Sequence, residues 1–131
     1  MKKFLVSVIM LVVFITACGR TNSVENSDKY ITTGQDIINK LNENDFEEIR
    51  KVSVDEFKEG LNETICDAVV KDLASKGKFL SFEKNQVFSQ KDKKTNKEYF
   101  VLVQEAKYEN GKLTFTLTFD ENDKLGGLYY K

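Results

Sequence analysis

The sequence predicts an α+β domain in which N-terminal helices pack on a four-stranded antiparallel sheet. Two observations predict it. From Tyr30 to Gly77 apolar residues recur at helical spacing, whereas from Phe79 to Tyr130 they alternate or run in short blocks between turn residues. The connections in the second half are too short for crossovers, so neighbouring strands must be antiparallel and form a meander. A helical half with one apolar stripe then has one sheet face to bury it on.

The elements follow in chain order. Met1-Lys2-Lys3, the apolar run Phe4 to Ile15 and the small residues before Cys18 read as a secretory leader over residues 1–17. Its apolar run is well short of the roughly 20 residues that span a bilayer. Ile15-Thr16-Ala17-Cys18 resembles the lipobox of bacterial lipoproteins, which implies a lipid on the Cys18 sulfur and cleavage just before it. A thiolate is well suited to accept that group, and two acyl chains hold far better than one. Residues 18–27 are then the lipidated cysteine and a polar spacer, and residues 28–131 one domain, large enough for a core without disulfide staples.

Tyr30, Gly34, Ile37, Ile38 and Leu41 form one buried stripe of a first helix that starts between Ser27 and Thr32. Asn44 is the expected cap of a short second helix carrying Phe46 and Ile49, with Glu47 answering it. Ser53-Val54-Asp55-Glu56 reads as a capping box before Phe57 and Leu61. Leu61, Ile65, Val69 and Leu73 repeat every four residues beside Cys66 and Val70, and Gly77 supplies the stop.

Strands are expected over Leu80–Gln90, Glu98–Tyr108, Lys112–Phe119 and Lys124–Tyr130. Asn110-Gly111 between two β-rich runs marks a hairpin. Leu113, Phe115, Leu117 and Phe119 face the core, and Thr114, Thr116 and Thr118 the half-wet side. Tyr99-Phe100-Val101-Leu102-Val103 lacks alternation, which predicts a central strand covered on both faces.

Several landmarks carry a family resemblance. They are the lipobox, Leu41-Asn42-Glu43-Asn44-Asp45-Phe46 before an amphipathic helix, Gly77-Lys78-Phe79 opening the sheet, and Phe115-Thr116-Leu117-Thr118-Phe119-Asp120 followed by Leu125-Gly126-Gly127-Leu128-Tyr129. Over roughly Tyr30 to Tyr130 the chain resembles the domain of unknown function 3887 family, found in Gram-positive lipoproteins and attached to some hydrolases. The resemblance implies a cystatin-like, or nuclear-transport-factor-two-like, cone and transfers no catalytic residue. The chain departs from it in having no Trp before Gly77.

Composition excludes several functions. Without the leader, 18 basic and 21 acidic residues remain, a net charge of −3, which argues against nucleic acid as a partner. There is no His, so imidazole catalysis and His-ligated metal are impossible. No Gly-rich phosphate loop, CxxC pair or catalytic triad occurs, and no cofactor or metal is expected.

Candidate chemistry is sparse. Gln104 interrupts the face made by Phe100, Leu102, Ala106 and Tyr108. If that face lines a cavity, Gln104 and Tyr108 offer hydrogen bonds in an apolar pocket; the alternative is an edge position where the strand leaves the core. Tyr129 reads as a core-rim residue or a further ligand contact. Cys66 reads as a buried small hydrophobe with no cation to activate it. Glu83, Glu105 and Asp120 lie on or beside strands, where one could serve as a buried base, although surface exposure is the rule for carboxylates. Lys91, Lys93, Lys94 and Lys97 cluster at an expected hairpin tip, and Asp120-Glu121-Asn122-Asp123 reads as a turn and not a calcium loop.

The expectation is a non-enzymatic lipoprotein, anchored through Cys18 on the extracytoplasmic face of the cell membrane. Its domain would bind a small apolar ligand or an exported protein. The alternative is a small enzyme or hydrolase accessory using a buried carboxylate and tyrosine.

Overall fold

The computed structural model describes residues 22–23 and 27–131. The expected leader, Cys18 and most of the spacer lie outside the described residues. The elements are β1 (Asn22–Ser23), α1 (Ser27–Asn42), α2 (Phe46–Lys51), α3 (Asp55–Gly60), α4 (Glu63–Lys76), β2 (Phe79–Lys91), β3 (Glu98–Tyr108), β4 (Gly111–Phe119) and β5 (Leu125–Tyr130). Helices thus precede strands, and the strands form one antiparallel sheet in the order β1-β2-β3-β4-β5. This is the expected α+β arrangement, consistent with a nuclear-transport-factor-two-like fold. The two-residue β1 lies within the expected spacer and extends the four-strand meander at the β2 edge.

The stripe of α1 is buried as its spacing requires: Tyr30, Gly34, Ile37, Ile38 and Leu41 all face inward. Gly34 has a specific reason to lack a side chain, because a Cβ there would fall inside contact distance of Leu102 Cδ2 on β3. The helix therefore lies directly on the sheet. At Gly34 it meets Leu102 and Leu117, both 0% exposed, and each such side chain contributes roughly 1.5–3 kcal/mol on burial.

Two caps differ from expectation, for local reasons. Asn44 does not cap α2; it takes a left-handed conformation (φ 62°) after α1, which Asn tolerates. Asp45 is the cap, and its side chain accepts from the Glu48 amide. Ser53 does not cap α3 either. Its hydroxyl donates back to the Ile49 carbonyl at 2.6 Å, and the cap residue is Val54, which has no side-chain oxygen. Tertiary pairing has claimed this stretch: Leu125 N–H donates to Val52 O, and Val54 N–H donates to Leu125 O. At α4 the Asn62 side chain accepts from the Ile65 amide, and Gly77 ends the helix at φ 81°.

The sheet's inner face holds the core. Leu113, Phe115, Leu117 and Phe119 are buried, and the intervening threonines are half-buried. β3 is central but is not covered on both faces as expected. Val101 is buried, yet Tyr99 and Val103 on the same outer face remain partly exposed, and the main core contains only the opposite, inner set. β2 carries register shifts between Phe79 and Ser81 and between Phe82 and Asn85, bulges that bend the strand and curve the sheet.

Candidate functional site

The curvature leaves a cleft where the end of α1, the last turn of α4, the start of β2 and the end of β3 converge. The backbone fixes these pieces together. Gly77 reverses the chain after α4 with a positive φ that a Cβ would strain. Asn110 N–H donates to Lys76 O at 2.8 Å, and Glu109 N–H to Lys78 O at 2.9 Å. The Glu109 carboxylate in turn accepts from the Lys78 amide at 2.9 Å. The β3–β4 hairpin is thereby clamped to the helix terminus.

The cleft has a volume of about 530 Å³, with Val70, Leu73, Ala74 and Phe79 among its apolar walls and Asn42, Asn44, Lys78, Tyr108 and Glu109 as its polar members. Tyr108 is 2% exposed. Its hydroxyl donates to Asn42 Oδ1 at 2.6 Å, and the Phe79 ring meets it edge-on at 5.7 Å. Burial pushes the Tyr108 hydroxyl up to about 12, outweighing the opposing effect of the Asn42 hydrogen bond, so it stays a neutral donor. Apolar walls around a few convergent polar groups are the usual make-up of a small-molecule site.

The three pocket candidates are not brought together. Tyr108 lines this cleft, but Gln104 does not. Gln104 lies on the same inner face, 0% exposed, and its amide is fully engaged. Oε1 accepts from Gln35 Nε2 at 3.0 Å and Asn85 Nδ2 at 3.3 Å. Nε2 donates to the carbonyls of Glu105, Glu83 and Lys84 at 2.9–3.3 Å. It ties the bulged segment of β2 to α1. Tyr129 pairs with Thr116, which pairs with Val103, so it lies on the outer face, half-buried.

The remaining candidates also find places. Cys66 is a buried free thiol, but a cation does stand beside it: Arg50 Nη2 is 3.7 Å from the sulfur. Burial nonetheless pushes the thiol up despite Arg50, so the reactive thiolate is disfavoured. Glu83 is exposed, and Glu105 and Asp120 are half-exposed; none is a buried carboxylate. Glu105 lies 3.6 Å from Lys112. Asp120 Oδ1 accepts from the amides of Asn122 and Lys124 at 2.9 Å, as a turn residue does. Lys91, Lys93, Lys94 and Lys97 sit exposed at the β2–β3 hairpin tip. Among the described residues no cluster could hold a metal ion, and no helix is long and apolar enough to cross a membrane. A smaller cleft of about 260 Å³ lies near that tip, lined by Glu56, Lys97–Tyr99 and Asp120–Asn122 among others.

Asn42 is marked in the sequence only as part of a family landmark and carries no functional signal there. It stands one place beyond the stripe residue Leu41 and reads as a polar helix end; nothing local signals that Tyr108, 66 residues on, reaches it.

Comparisons with known proteins agree with this architecture. A search of curated proteins finds no match. The NMR structure of a protein from Ruminococcus gnavus ATCC 29149 is similar, at 27% identity and a TM-score of 0.63 over 72% of this chain and 81% of that one. The family model described as "Protein of unknown function (DUF3887)" matches residues 34–128, a span that contains every lining residue of the larger cleft. With nearly the whole folded domain inside that match, the chain belongs to the DUF3887 family of proteins of unknown function.

Proposed function

We propose that the protein is an extracytoplasmic lipoprotein, anchored by lipid on Cys18, whose domain binds a small amphipathic molecule in the cleft floored by Asn42 and Tyr108. The observation that carries the binding role is the cleft itself: about 530 Å³ with both apolar and hydrogen-bonding members. The anchor rests on Ile15-Thr16-Ala17-Cys18 behind an apolar run. Strand register supports the combination. β1 pairs Asn22 with Ser89 and Ser23 with Phe88, so it enters from the Lys91 end of β2. The cleft lies at the Phe79 end, roughly 30 Å away at about 3.3 Å per residue. An anchor upstream of Asn22 would thus lie at the opposite end of β2 from the cleft. A non-catalytic role is supported by the placement of the three carboxylates, Glu83 exposed and Glu105 and Asp120 half-exposed, so that none is a buried base.

The test is native mass spectrometry of the mature chain released gently from its own membranes, beside an Ala74→Trp variant that fills the cleft. A small molecule retained by the wild type and lost from the variant is expected. A clean wild-type mass, or an adduct equally retained by the variant, would contradict binding in this cleft.

A further inference from the structure

The turn between β2 and β3 concentrates positive charge. Lys91, Lys93, Lys94 and Lys97 fall within seven residues and are all exposed, and none of them forms an ion pair among the described residues. The one acid among them, Asp92, is engaged by the turn itself, where its Oδ1 accepts from the Lys94 amide at 2.9 Å. Four lysines against one aspartate leave a net charge of +3 over residues 91–97.

The acids at this end of the sheet lie behind that turn. β4 stops pairing with β3 at Phe119, opposite Phe100, while β2 and β3 continue together through Gln90–Tyr99 and Lys91–Glu98. The β4–β5 turn touches only the base of this extension, where the Glu121 carboxylate accepts from the Glu98 amide at 3.1 Å. A surface approaching along the strands meets the lysines first.

Strand pairing sets the expected anchor at the same end. Asn22 lies opposite Ser89 and Ser23 opposite Phe88, so the chain reaches β1 from the side of Lys91. Cys18 precedes Asn22 by four residues, a span of at most about 14 Å. Beyond the Ser89 level the hairpin runs on through Gln90 and Lys91, roughly 7 Å of strand before the turn. So short a tether keeps a bilayer within reach of the tip. The mature chain as a whole is acidic, with a net charge of −3, so an anionic surface disfavours other orientations and favours the one that presents the lysines.

We infer that, with Cys18 lipidated as proposed above, Lys91, Lys93, Lys94 and Lys97 dock on anionic phospholipid headgroups and stand the domain upright, its Phe79 end and cleft farthest from the bilayer. Each lysine that reaches such a surface strengthens attachment about fivefold.

The test places the isotope-labelled mature chain, its lipid checked by the mass of the N-terminal peptide, on nanodiscs that carry a paramagnetic headgroup. On discs of equal parts phosphatidylglycerol and phosphatidylcholine, the amide signals of Lys93–Asn96 are expected to broaden and those of Lys78 and Glu109 to stay sharp. Lys93→Gln with Lys94→Gln should lower the docked-to-free ratio by up to about 25-fold, and high salt should act in the same direction. No broadening at the tip, equal broadening on pure phosphatidylcholine, or no effect of the substitutions would overturn the headgroup contact and leave the anchor standing. Broadening centred on another surface would overturn the orientation. A stronger response of the tip to soluble polyglycerol phosphate than to the discs would assign the lysines to a polymeric anion and overturn the lipid contact. An N-terminal peptide without lipid would contradict the anchor instead; selective broadening of Lys93–Asn96 on the same anionic discs would then still support the headgroup contact, and its absence would overturn that too.

Discussion

Gln104 and Tyr108 show what single residues do on the inner sheet face. Gln104→Leu keeps the volume but strips the amide that joins Gln35, Asn85 and the carbonyls of the β2 bulge. Abandoning those partners should cost about 1–3 kcal/mol in urea unfolding. A loss under a few tenths would mean that the bulge holds itself. The tyrosines give a pH signature. Tyr30 and Tyr108 are both pushed up to about 12, chiefly by burial, with the Asp123 hydrogen bond adding to the effect at Tyr30. A raised folded value means that the neutral form is favoured in the folded state. Their contribution is therefore complete below the ordinary tyrosine value near 10 and lost as pH rises through about 12. Stability should fall over that window, and less steeply in Tyr108→Phe; identical alkaline limbs would contradict the burial of this hydroxyl. Gln104 was legible in sequence as a polar break in an apolar face. Its partners were not, because the register shift between Phe82 and Asn85 that delivers them leaves no mark in the residue pattern.

At the scale of elements, α1 and the sheet meet more closely than ordinary side chains permit. Gly34→Ala gains about 1 kcal/mol of helix propensity, but its methyl must displace Leu102, which is 0% exposed. Overpacking of this kind costs about 1–3 kcal/mol, so a net loss near 1 kcal/mol is expected from thermal or urea unfolding. A stabilised variant would show that α1 can lift off the sheet at little cost. The stripes of α1 and α4 and the four long strands were readable because period and turn residues agree. The caps of α2 and α3 were not. Ser53 looks like an N-cap, yet Val52 and Val54 bond to Leu125, a contact about seventy residues distant that local rules do not contain.

The whole molecule couples a domain to its expected anchor. β1 already joins the sheet at Asn22, so an anchor at Cys18 would be joined to the domain by a segment that reaches at most about 14 Å. Cys18→Ala should abolish lipid labelling and move the protein out of the membrane fraction or leave it unprocessed; lipid-labelled, membrane-bound variant would contradict the anchor. Family membership and the fold's class were legible from spaced aromatic and glycine landmarks. The cleft was not, since it is assembled from Asn42, Leu73, Phe79 and Tyr108 on four different elements. The most direct test of the binding role compares methyl NMR spectra of the mature chain as extracted from its own membranes and after unfolding and refolding free of small molecules. Shift changes confined to Val70 and Leu73 are predicted, reversed by returning the released fraction. Superimposable spectra, or changes centred on Val54 beside the Glu98–Glu121 cleft, would contradict it.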